Sequence, residues 1–91
     1  MKLHEVVNDT SVYFVYTTHA TEEKYAWWAV RAGDKRQAFK FVWEALPNDF
    51  ASSYDDVYDI VQFRSEFGED PTPRFLKKNT KIGYPIKFDS K

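Results

Sequence analysis

The sequence has no cysteine, which excludes disulfides and thiolate metal sites and fits a reducing compartment. It has only 3 glycines, and they form no phosphate-cradling loop. Gly33-Asp34-Lys35 precedes a helical pattern, but Asp34 as its cap would occupy the free N–H groups an anion needs. Histidines number 2, His4 and His19. With Glu5, Glu22 and Glu23 they have no recognised metal spacing, so they read as loop histidines and no metal or cofactor is expected. No apolar run approaches the roughly 20 residues of a membrane helix. The opening MKLHEVVND has charges where a secretory signal is apolar, so a cytoplasmic protein without membrane association is expected. No placed acid–base pair is visible in the spacing, so no catalytic residue is assigned and an enzyme is not expected.

What the chain has instead is aromatics, which make up 19% of 91 residues. Each can bury about 150–250 Å², so 8 Phe, 6 Tyr and 3 Trp exceed what one modest core requires. Length indicates a single domain. Net charge is −1 but unevenly spread. Residues 44–73 carry 8 acids and a single base, whereas 74–91 carry 6 bases and a single acid. The division expected is a core over 1–73 and a basic C-terminal segment, 74–91, packed on it or extending it.

VYFVYTT (Val12 to Thr18) and YAWWAVRA (Tyr25 to Ala32) are dense in β-branched and aromatic residues. The polar stretch between them predicts an antiparallel hairpin. At Asp34 the period changes. Asp34 with Gln37 predicts a capping box, and Ala38, Val42, Ala45 and Leu46 share one stripe of a helix that Pro47 stops. The β formers of VYDIVQFR favour a third strand from about Val57 to Arg64. The alternative for this stretch is a helix capped by Ser53 and closed by Gly68. GYPIKF, with Pro85, predicts an edge strand at best. The fold expected is α+β: a small antiparallel β-β-α-β sheet with one helix on one face and a C-terminal extension. Element order over residues 12–64 resembles that of the T7-type phage proteins that inhibit host RNA polymerase. The likeness is one of element order with no shared motif; an inhibitor of phage or mobile-element type fits the small size and the absence of motifs.

Trp27 and Trp28 are adjacent, so on a strand they point to opposite faces. Ala26, Trp28, Val30 and Ala32 are wholly apolar and belong under the helix. Val12, Phe14 and Tyr16 are expected to join them, with Val57, Val61 and Phe63. The outer face would then present Tyr13, Tyr25, Trp27, Arg31, Tyr58 and Arg64. Tyr, Trp and Arg are the types enriched at binding hot spots. The main expectation is therefore a non-enzymatic protein that binds and inhibits another protein through this face. Asp49, Asp55, Asp56 and Asp59 would steer the encounter, unless they are ordinary loop and cap carboxylates. A second reading is single-stranded nucleic-acid binding, with sheet aromatics stacking bases and Arg74, Lys77, Lys78 and Lys81 contacting phosphates. Two further readings compete for the same face. It could be a homodimer interface, or Phe75, Leu76, Ile82, Tyr84, Ile86 and Phe88 of the tail could fold over it.

Overall fold

The computed structural model describes residues 10–68 and 81–90. The architecture is the expected one, a small mixed α+β domain around an antiparallel sheet. Strand β1 (Ser11–His19) pairs with β2 (Tyr25–Ala32) along its length, from Ser11 opposite Ala32 to Thr18 opposite Tyr25. Helix α1 (Lys35–Ala45) follows. Two short strands, β3 (Phe50–Ala51) and β4 (Val57–Tyr58), both line the free edge of β1. Between them, the Ser52 hydroxyl donates to the Tyr16 carbonyl (2.8 Å), satisfying an edge acceptor. Helix α2 (Ile60–Phe67) comes next, and β5 (Ile86–Ser90) pairs with the other edge of β2. The strand order is β3-β1-β2-β5, with β4 beside β1.

Helix α1 forms where the sequence predicts it. Asp34 Oδ1 accepts from the Gln37 backbone N–H (2.8 Å). Gln37 Oε1 accepts from Gly33 N–H (2.7 Å), one residue earlier than an ideal capping box. Ala38 and Val42 are fully buried on its inner stripe.

The strand expected over Val57 to Arg64 is corrected: only Val57 and Tyr58 are extended. Asp59 ends the strand by capping a helix. Its side chain accepts from Gln62 N–H (2.8 Å), and Gln62 Oε1 accepts from Asp59 N–H (3.2 Å). Gly68, at φ 76°, closes the helix with its N–H on the Arg64 carbonyl (2.8 Å). The Ser53 capping box with Asp56 exists too, but it serves a single 3₁₀ turn, Tyr54–Asp56. The local signal was the Asp59-x-x-Gln62 pair, which satisfies two backbone N–H groups and outweighs the β propensity of Ile60, Val61 and Phe63.

A second helix means that both sheet faces are covered. On one face, Tyr13, Val15, Val30, Ala32 and Val57 pack with α1, and Trp28, Phe39 and Leu46 border them. On the other, Phe14, Trp27 and Ala29 pack with Phe63 of α2, bordered by Tyr16, Tyr25, Tyr58 and Phe88. The faces of β2 are as expected; those of β1 are the reverse. Tyr13 lies under α1, whereas Val12, Phe14 and Tyr16 share the Trp27 face. Register decides this: Tyr13 sits opposite Val30 and Tyr16 opposite Trp27, and directly opposed residues share a face. A one-residue difference in hairpin pairing moves a whole strand's side chains across the sheet. Val61, expected inside, is 69% exposed on the outer side of α2.

Candidate functional site

The expected aromatic and arginine face is not a surface. Trp27 is only 9% exposed. Its ring lies 5.0 Å from Tyr16, 5.7 Å from Tyr58, 5.3 Å from Phe63, 5.2 Å from Phe67 and 6.2 Å from Phe88, centroid to centroid. Most of these pairs are tilted or edge-to-face, the geometry that opposed ring quadrupoles favour. Phe88 reaches this cluster through a bulge. Residues 86, 87, 89 and 90 pair with 29, 28, 27 and 26, so Phe88 is the extra residue and turns onto the Trp27 face. The tail thus contributes to the cover together with α2. Ile82 and Tyr84 stay exposed, and Phe75 and Leu76 lie outside the described residues.

Of the other members of the expected patch, Tyr25 and Tyr58 stay with Trp27, and Tyr13 does not. Tyr13 is on the opposite face. Burial, then the negative charges of Asp34 and Asp59, raise its phenol above the ordinary 10.0. Tyr58 is half-buried against Trp27, and its phenol is raised by burial and then by Glu66 and Asp56. Tyr25 is half-buried beside Tyr16. Arg31 is half-buried at the end of β2, where Nη1 donates to Thr10 Oγ1 (3.3 Å). Its Nε has no partner among the described residues. Arg64 is exposed on α2.

The acidic set divides as well. Asp56 and Asp59 are capping residues, with their carboxylates engaged by neighbouring backbone. Asp49 takes a left-handed conformation (φ 75°) in the turn before β3, where its carbonyl accepts from Ala20 N–H (2.7 Å). Asp55 is exposed. Of the basic residues, Lys81 stands 5.6 Å from the Tyr84 ring centroid. Arg74, Lys77 and Lys78 lie outside the described residues, as does His4. His19 is built into its loop: Nδ1 accepts from Thr21 N–H (3.2 Å) and Glu22 N–H (3.0 Å).

With the sheet closed, the exposed aromatics are elsewhere. Trp43, on the flank of α1, is 50% exposed, and Tyr54, in the 3₁₀ turn, is 51% exposed. Phe39, half-buried, joins them: its ring centroid lies 5.7 Å from Trp43 and 6.4 Å from Tyr54. Phe39 and Trp43 are four residues apart, so they stack along one helix face. Phe39 lies beside Ala38, Val42 and Leu46 on the helix stripe, and Trp43 flanks it. The signal for exposure was there, since Arg36, Lys40 and Glu44 surround them in the wheel. Asp55 follows Tyr54 and Glu44 follows Trp43, so this ridge has exposed carboxylates next to its aromatics in sequence.

Fold and surface together define a small, aromatic-rich α+β domain with a helix packed on each face of its sheet. No described helix is long and apolar enough to cross a membrane. No protein-family model, curated protein or solved structure matches the chain.

Proposed function

We propose that this is a small non-enzymatic binding protein that docks on a protein partner in the cytoplasm and inhibits it by occlusion, in the manner of phage or mobile-element inhibitors. The observation that carries the reading is the Phe39–Trp43–Tyr54 ridge. Three rings stand together on the outside of a domain that already buries Trp27, Phe14 and Phe63 in its own second core. Exposed Trp and Tyr, each packed on one phenylalanine beside charged residues, are the residue types enriched at binding hot spots. The docking surface is thus moved from the sheet to the α1 flank. Asp55 and Glu44, beside the ridge, steer the encounter.

The sheet-stacking version of nucleic-acid binding has lost its platform, because the sheet aromatics are packed under α2. The test of the protein-binding reading is affinity capture from cells of the source with wild type and Trp43→Ala. Half of the Trp43 indole is already in water, so the variant keeps its fold. A partner captured by wild type and lost from Trp43→Ala supports the reading. A partner captured equally by both, or no specific partner at all, overturns it.

A further inference from the structure

Helix α1 does not cover its whole sheet face. Eleven residues span about 16 Å, whereas the eight residues of β2 span about 27 Å. The helix starts beside Ala32 and runs back along β2, ending near Trp28 at Leu46 and Pro47. Beyond it the sheet face is open, and a cleft of about 310 Å³ remains there, lined by Lys24, Tyr25, Ala26, Trp28, Pro47, Phe50 and Lys87. That is the lower end of the size range of small-ligand sites.

The geometry points to a binding site for a planar aromatic ring carrying an anionic group, a phosphate or a carboxylate. The ring would lie against Trp28 and Phe50. Both walls are already held. Trp28 Nε1 donates to Thr17 Oγ1 (3.2 Å), and that buried hydroxyl donates in turn to the Ala26 carbonyl (2.9 Å). Phe50 is braced edge-on by His19, with centroids 5.2 Å apart. Rigid walls lower the ordering cost of binding. The anionic group is met by two ammonium groups. Lys87 is opposite Trp28 in the sheet register and so stands on the same face. It makes no ion pair among the residues whose side chains are described. Lys24 is held by Glu22 (2.8 Å), but both side chains are more than half exposed, and such surface pairs open at little cost. The Glu22 carboxylate beside Lys24 and the C-terminal carbonyls of α1 near Pro47 oppose an anion with a full charge and about half a charge, which the two ammonium groups together exceed.

The test is a titration followed by the Trp28 Nε1–H resonance in two-dimensional NMR. The probes are adenosine monophosphate, indole-3-acetate, and neutral adenosine. At least one of the two aromatic anions is expected to shift the resonance saturably, with a dissociation constant of about 1 mM or below. Saturation by the nucleotide alone identifies a phosphate ligand, and by the indole acid alone a carboxylate ligand. Adenosine, and the nucleotide or acid with Lys24→Gln/Lys87→Gln, should bind roughly tenfold more weakly, because charge-assisted contacts are lost. No saturable shift with either anion overturns the assignment. Equal binding of adenosine, or equal binding by the lysine variant, overturns it too.

Discussion

Replacing Trp27 by alanine gives the sharpest test of a closed sheet. A tryptophan buries up to about 250 Å², and 9% of this one remains exposed. At ~25 cal/mol per Å², the removed area corresponds to about 5 kcal/mol, an upper bound because the unfolded chain already hides some of it. Truncation of large aromatics in cores costs about 3–5 kcal/mol. The indole touches five other rings, so the hole cannot collapse easily. A 91-residue domain has a total stability of roughly 5–14 kcal/mol. Trp27→Ala therefore removes a large fraction of it and leaves a marginal fold. The assay is urea unfolding followed by far-UV circular dichroism, which does not depend on the tryptophan being removed. With a slope of about 1–1.5 kcal/mol per M, the midpoint should fall by roughly 2–5 M. Trp43→Ala, removing a side chain at 50% exposure, should cost about half as much, at most about 3 kcal/mol by the same area. Equal, small shifts for the two variants would refute the packing of α2 over the sheet.

Three further outcomes follow from single contacts. Asp59→Ala should destabilise by about 1 kcal/mol and lower helix content, while Asp59→Asn keeps the cap and most of the stability; equal losses in both would place the role of Asp59 elsewhere. Gly83→Ala should cost more than Gly68→Ala. Both sit near φ 78° within a few degrees, at about 1 kcal/mol for a side chain there. Only at Gly83 does the added methyl meet a ring, with Phe41 Cζ at 2.9 Å, so unfolding midpoints separate conformation from packing. Tyr13 gives an alkaline signature. Its folded pKa is raised, so the unfolded state loses its proton first. The contribution is fully present below the ordinary 10.0 and is lost as pH rises through the folded value. Tyr13→Phe should flatten the decline in stability above that pH, and an unchanged slope would exclude burial of the phenol as its cause.

Some of this was legible from local patterns. The hairpin, the helix from Asp34, the apolar set Ala26, Trp28, Val30 and Ala32, and the divergence of the two indoles all follow from period and capping chemistry. The edge position of the last strand followed from Pro85. The faces of β1 were not legible, because they depend on which residue of the loop His19 to Lys24 begins the pairing. Residues 57–64 carry strong β propensity, yet the Asp59–Gln62 box lies among them. A capping pair competes with propensity, and the outcome depends on whether tertiary packing rewards the helix. Here it does, since Phe63 reaches Phe14 at 4.7 Å and Trp27 at 5.3 Å.

The amino-acid order by itself determined that Trp27 and Trp28 would part, and that one of them would lie beneath the helix starting at Asp34. It also determined an excess of aromatic area that a single face could not absorb. Only the tertiary structure decided where that excess went. Helix α2 and Phe88 closed the second face, and two of the exposed rings, Trp43 and Tyr54, came to flank Phe39. The reason is that alternation along a strand is set residue by residue, whereas the cover over a face is set by segments distant in the chain, whose docking no local pattern encodes.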